Sequence, residues 1–321
     1  TAYTLTGTKV QTPAPLRDYN EIFEQIFSLT EDNIYDQSFI KTDNWSQFKA
    51  FMKKNSTTIL DDYELQIAFS MIARKLPFSH YYFYPASSDD KSSNSHPDMA
   101  FLKEVDTKTG ILEVQQFTGT KEQMDSLINI IDTKQYENLI IDLRNNPGGK
   151  HLAAFPLVEY IIDKTIIAGV FPNKNWYQEF DRTPTKDDYS KFTAFTGGTF
   201  DDWLVKAKGN YGVYFEVSPS SKHFNGKVYI LTNKRTGSTC EPIVYGLKEN
   251  KYATIIGEPT AGAMLSSNEF IIDIIFALRI PLNDYVTYSG DRIDQVGIKP
   301  DIEVKSDDAL DYAIKLIAGK K

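Results

Sequence analysis

Two turns of the 321-residue chain carry residue types suited to chemistry. In the first, the apolar run Leu139-Ile140-Ile141 passes through Asp142-Leu143-Arg144-Asn145-Asn146-Pro147 into the adjacent glycines Gly148 and Gly149. Adjacent glycines let a backbone come close to a ligand and aim its N–H groups outward. In the second, Val228-Tyr229-Ile230-Leu231 leads through Thr236-Gly237 to Ser238-Thr239-Cys240-Glu241-Pro242. Ser238 then stands at the mouth of a helix, and two readings of it are open. With Glu241 it can form a capping box, in which serine oxygen and glutamate each satisfy an unpaired N–H of the first turn. It can equally act as a nucleophile, because N–H groups at a helix start meet the negative charge that acyl transfer places on a carbonyl oxygen.

A serine hydroxyl needs a base, and imidazole titrates close to working pH. His80, in Leu76-Pro77-Phe78-Ser79-His80-Tyr81, follows an amphipathic helical pattern. In so aromatic a segment the ring can also be a packed structural group. Of the other histidines, His151 lies two residues beyond Gly149, and His96 and His223 stand apart from both turns. The single cysteine, Cys240, reads as a small buried apolar residue beside Ser238.

Together the two turns resemble the C-terminal processing peptidases, a family that includes the tail-specific proteases, the tricorn protease core and the interphotoreceptor retinoid-binding proteins. The resemblance continues in Ala253-Thr254-Ile255-Ile256-Gly257-Glu258-Pro259-Thr260-Ala261-Gly262, similar to the family's second strand and glycine turn. It ends in Val296-Gly297-Ile298-Lys299-Pro300-Asp301-Ile302-Glu303-Val304, similar to its closing motif.

The resemblance implies that Ser238, in a Ser-x-x-Glu pattern, is the nucleophile of a serine endopeptidase acting on peptides or unfolded protein segments through an acyl-enzyme. The oxyanion donors would be the N–H of Thr239 and that of Gly148 or Gly149. Tail-specific members take their base from a lysine after Thr-x-Gly; here that position is Ala263. Tricorn-like members use a histidine from the helical N-terminal part, which matches His80 with Ser79 orienting it. The carboxylate of that branch, a glutamate before the closing motif, corresponds to the shorter Asp294. Asp142 and Arg144 are expected to brace the end of the first strand. No cofactor is implied. The same scaffold also carries non-catalytic proteins, so a binding protein for an apolar ligand or a peptide is the alternative.

Positioning these residues requires a particular set of elements. Residues 15–80 read as helices, with Leu16, Tyr19, Ile22, Phe23, Ile26 and Phe27 on one face. Trp45, Phe48 and Met52 form a second face, and Leu65, Ala68, Met71, Ile72 and Leu76 a third. The polar run from Ser87 to Asn94 reads as a loop. Strands over 110–117 and 138–143 then alternate with a helix over 120–132, its Met124, Leu127, Ile128 and Ile131 inward, and with another reaching residue 163. That alternation indicates an α/β core. The chain should close with a helix from Asp308 to Ala318.

The resemblance implies a ClpP/crotonase-like ββα spiral preceded by a small helical domain. The expected division is residues 1–98, carrying His80, and 99–321, carrying Ser238. The short stretch between His80 and the strand at Gly110 falls below the roughly 50 residues a domain needs, so no PDZ module fits there. Residues 172–225 are rich in aromatics, from Trp176 to Tyr214, and either wall a substrate groove or pack against one another across a long irregular excursion.

Composition excludes other functions. A net charge of −8 and a pI near 5.2 leave no basic excess to neutralise phosphates, so a nucleic-acid partner is not expected. Scattered histidines offer no metal constellation. The apolar run Phe270 to Ile280 is broken by Asp273 and Arg279 and is too short to span a bilayer. Resemblance to secreted relatives implies a periplasmic or lipid-anchored envelope location. No pattern indicates an oligomeric state.

Overall fold

The computed structural model describes residues 16–86 and 99–319. The expected loop over 87–94 and His96 lie outside the described residues.

Three helices come first, α1 (Tyr19–Asn33), α2 (Asp43–Asn55) and α3 (Asp62–Ala73). Each starts where a side-chain oxygen, of Asp18, Thr42 or Asp61, accepts a first-turn N–H. The expected apolar faces of α1 and α2 are buried, with Ile26, Trp45 and Phe48 fully enclosed. The third face differs from expectation, because Leu65, Phe69 and Ala73 form the stripe and Met71 points to solvent. Phe69 sets that rotation by packing 5.6 Å from Phe48 and 5.3 Å from Phe83. Leu16, before α1, is likewise exposed.

The chain continues through β1 (Tyr82–Pro85), β2 (Ala100–Asp106), β3 (Thr109–Val114), α4 (Lys121–Lys134), β4 (Asn138–Asp142) and α5 (His151–Ile161). Next come β5 (Ile166–Pro172), α6 (Lys174–Phe180), β6 (Thr193–Phe195), α7 (Phe200–Lys208) and β7 (Gly212–Val217). The last group is β8 (Lys227–Thr232), α8 (Cys240–Glu249), β9 (Ala253–Gly257), β10 (Ser266–Ile272), β11 (Phe276–Asn283), β12 (Ile302–Glu303) and α9 (Ala309–Ile317).

A six-stranded sheet in the order β12-β9-β8-β4-β3-β2 forms the centre, parallel except for the β2/β3 pair. Parallel strands must be covered on both faces. Met124, Leu157 and Val244, from α4, α5 and α8, cover one face, and Ala309 and Ala313 of α9 the other. Leu139, Ile140 and Ile141 are accordingly buried irrespective of the face they point to. Because Asp142 pairs with Leu231, β4 and β8 leave the sheet side by side, and both chemistry-bearing turns emerge at that edge.

The helices do not close their core alone. Leu278 and Ile280 of β11 and Ile272 of β10 pack into it, and β1 pairs antiparallel with β11 in the order β1-β11-β10. This pairing brings the residues just before β1, Ser79 and His80, against the second half of the chain. The excursion over 172–225 is more regular than expected, with α6, β6, α7 and β7 grouped around the sheet β5-β7-β6. Its rings divide: Trp176, Tyr189 and Phe192 form a satellite cluster, whereas Phe195, Trp203 and Phe215 join the main core.

Candidate active site

The two turns are fastened to each other. Thr236 Oγ1 donates to the carbonyl of Leu143 (2.8 Å), and Gly237 N–H to that of Asn146 (3.0 Å). Thr239 Oγ1 donates to the carbonyl of Gly149 (2.6 Å). Gly148 has a φ of +102°, and a Cβ there would sit 2.7 Å from Ser238 Cβ, so only glycine allows this approach. The Gly148 N–H is taken by Asn146 Oδ1 (2.8 Å). Among the described residues the N–H groups of Gly149 and Thr239 have no acceptor, and both residues line the cleft beside Ser238. Of the two glycines expected as donors, Gly148 is therefore already engaged. Asn146, which went unremarked in the sequence, holds the turn through its amide, its Nδ2 donating to Val114 O (2.9 Å).

Ser238 is not a helix cap. α8 starts at Cys240, and no side chain caps it. Ser238 has a φ of +54°, a conformation that L-residues other than glycine and asparagine seldom adopt. Its Oγ makes no hydrogen bond among the described residues. Half of the expected box survives, since Ser238 N–H donates to Glu241 Oε2 (3.2 Å) and also to Ala263 O (3.1 Å).

Glu241 is fully buried and has a larger task than a cap. It accepts from Thr260 Oγ1 (2.6 Å), Gly262 N–H (2.8 Å) and Ala263 N–H (2.9 Å), tying a third turn, residues 260–263, to the segment of Ser238. Burial pushes its pKa up to about 7 although these donors pull it down. The Ser-x-x-Glu spacing was the signal for this residue, but spacing cannot tell a capping glutamate from a buried anchor.

His80, Ser79 and Asp294 come together across the chain. Ser79 Oγ lies 2.7 Å from His80 Nδ1 and 2.6 Å from Asp294 Oδ1. Asp294 also accepts from Ser79 N–H (3.0 Å) and Met264 N–H (3.0 Å), so its short side chain meets Ser79 and not the imidazole. The hydroxyl has one proton, and a carboxylate can only accept. Ser79 therefore donates to Asp294 and accepts from His80, which assigns the ring proton to Nδ1 and leaves the Nε2 lone pair free. His80 has a φ of +59°. Burial and, secondarily, Arg279 lower its pKa to about 4.

His80 and Ser238 line one cleft of about 490 Å³, together with Gly149, Thr239, Arg279 and the rings of Phe171, Phe200 and Trp203. No hydrogen bond joins His80 to Ser238. His151 lines the same cleft among aromatic rings, whereas His223 borders a separate depression near the start of β8. Cys240 is buried, and Asp142 pairs with Arg144 at 2.6 Å while Arg144 donates to Ser306 O (2.6 Å). Among the described residues no group of His, Cys, Asp and Glu has the arrangement of a metal site.

This architecture defines a class: a parallel-sheet α/β core with a helical N-terminal part and paired turns at one sheet edge. Residues 108–304 match the model of peptidase family S41. The chain is 23% identical over 199 residues, 61% of its length, to the chloroplastic carboxyl-terminal-processing peptidase 3 of Arabidopsis thaliana. The match spans 31% of that relative, and 41% of the carboxyl-terminal-processing protease of Picosynechococcus. Among solved structures, a lipoprotein from Streptococcus agalactiae has the same fold with a TM-score of 0.64 at 15% identity, over 97% of this chain and 99% of that one. The tricorn protease aligns with a TM-score of 0.59 at 13% identity, over 94% of this chain and 36% of its own. The chain belongs to peptidase family S41, the C-terminal processing peptidases.

Proposed function

We propose that the protein is a serine endopeptidase that cleaves peptides or unfolded protein segments through an acyl-enzyme on Ser238. The row Asp294–Ser79–His80, whose last residue lines the same cleft as Ser238, is the observation that supports this reading most. In the proposed reaction Nε2 takes the Ser238 proton as Oγ bonds to the scissile carbonyl carbon. The N–H groups of Thr239 and Gly149 receive the oxyanion. The imidazolium, stabilised by Asp294 through Ser79, then protonates the departing amine as the C–N bond breaks. Water, activated by the same ring, releases the acyl group as a carboxylic acid. A ligand-free site commonly holds such partners looser than in the working complex.

The same reading divides the labour between the helical part, which carries His80, and the core, which carries Ser238. No helix among the described residues is long and apolar enough to cross a membrane. A periplasmic or lipid-anchored location is the further part of the proposal, and cell fractionation tests it.

A fluorophosphonate probe should label the native protein, with the adduct mapped to Ser238. Ser238→Ala should lose both label and peptide turnover. Because its hydroxyl caps nothing, stability should stay within about 0.5 kcal/mol of wild type. Failure of the native protein to label would leave the non-catalytic binding reading in its place.

A further inference from the structure

His151 is the first residue of α5, on the turn that carries Gly149. Both of its ring nitrogens are buried without a hydrogen-bond partner among the described residues. Five rings surround it: Phe155 at 6.2 Å, Phe195 at 5.9 Å, Phe200 at 6.5 Å, Trp203 at 5.3 Å and Phe215 at 5.2 Å. Burial lowers its pKa to about 4, so the ring is neutral at neutral pH. Leaving a buried polar atom unpaired is costly, and a phenylalanine would fill this space without that cost. Four of the five rings belong to the core, whereas Phe200 is 52% exposed. His151, Phe200, Trp203 and Phe171 all line the cleft that contains Ser238.

We propose that this part of the cleft is a side-chain subsite for a tyrosine of the substrate, the aromatic wall taking the ring and His151 the hydroxyl once Phe200 turns aside. The proposal rests on the reading of the cleft as a peptidase site. Neutral imidazole offers one N–H and one lone pair, and a phenol can answer either. Phenylalanine would leave the nitrogens unpaired, and a charged side chain would lose its hydration among rings. Indole has a donor only. Sites built to hydrogen-bond a hydroxyl reject the analogue that lacks it.

The test uses the Ser238→Ala protein, so that binding is read without cleavage. Peptides identical except for Tyr or Phe at one position, moved along the peptide, are titrated by calorimetry. At one position the tyrosine peptide should bind at least about tenfold tighter, the factor expected when a single buried polar group gains its partner. Adding His151→Phe should bring the ratio to within about twofold by removing that partner. Phe200→Ala, a change on an exposed ring that does not depend on repacking the core, should tighten the tyrosine peptide by removing its cover.

Equal affinity for the Tyr and Phe peptides at every position, or a ratio untouched by His151→Phe, overturns the subsite. A tyrosine preference in a protein that the fluorophosphonate probe does not label would keep the subsite and remove the peptidase reading. A labelled protein without the preference would do the reverse.

Discussion

Ser238 and His80 share a backbone feature that their types do not announce: both have φ near +55°. Such conformations cost roughly 1–2 kcal/mol each and persist where surrounding structure enforces them, which is common at working sites. Here the enforcement is visible, in the hydrogen bonds of Ser238 N–H and in the hold of Asp294 on Ser79. Exposed imidazole would place the acid limb of kcat/KM between about 6 and 7. Burial lowers the pKa of His80 to about 4. A base must be neutral to accept a proton, so activity should hold through pH 6 and fall only as pH approaches 4. A pH–rate profile for kcat/KM checks this, and a limb near 6.5 would contradict the burial of the ring. Ser79→Ala should reduce kcat by on the order of 10²-fold, because Nδ1 then loses the partner that sets its tautomer.

At the scale of elements, three turns converge on the site, and Glu241 at the start of α8 joins two of them. Its carboxylate gathers the N–H groups of Ser238, Gly262 and Ala263 with the hydroxyl of Thr260. Gln295 N–H donates to Gly262 O (2.7 Å), which clips the segment carrying Asp294 to the same turn. Glu241→Gln replaces one acceptor oxygen with an NH₂ that faces donors. We expect a loss of about 2–3 kcal/mol, measured by denaturant unfolding, together with a fall in kcat as Ser238 and Asp294 lose their common anchor. Unchanged stability would show that the carboxylate contributes nothing to this junction. Gly149 offers no comparable freedom to vary, since a Cβ there would collide with Phe117 O at a φ of +140°.

At the scale of the whole molecule, a polar knot around the buried Asp284 joins parts of the described chain. Asp284, beyond β11, pairs with Arg292 at 2.8 Å and accepts from Tyr177 of α6, while Arg292 donates to Tyr35 OH (2.7 Å) after α1. Helical part, excursion and core thus meet just before Asp294. Buried titratable groups also set the response to acid. His80 and His151 have lowered pKa values, so the unfolded chain takes up protons first as pH falls below about 6.5, and stability declines toward pH 4. Glu241 and Asp284, raised to about 7 and about 6, act in the opposite sense, because the folded state holds their protons to higher pH. The difference between wild type and His151→Phe isolates the contribution of this one ring. The variant should gain relative stability, at most about 3 kcal/mol, between pH 6.5 and 4, read as the gap between their Tm values. A constant gap would mean that His151 titrates as it does in solvent.

The sequence by itself determined the α/β core, the helical opening and the turns at which chemistry could occur. Apolar periodicity in α4 and the run Leu139–Ile141 are local properties, and Gly148-Gly149 and Ser238-x-x-Glu241 are fixed-spacing signals. Spacing could not decide between Ser238 as cap and Ser238 as nucleophile, since both need a serine before a helix. The structure removes the cap, by a backbone at +54°, a helix that starts at Cys240 with no side-chain cap, and Glu241 turning to Thr260, Gly262 and Ala263; the nucleophile is the reading proposed for what remains. Asp294 lies 215 positions from Ser79, and only the pairing of β1 with β11 and the clip at Gly262 place the two in contact. Met71 failed for a related reason, because the rotation of α3 follows the packing of Phe69 against Phe48 and Phe83 rather than the count of apolar residues. The lowered pKa values of His80 and His151 likewise come from burial, which residues distant in the chain supply.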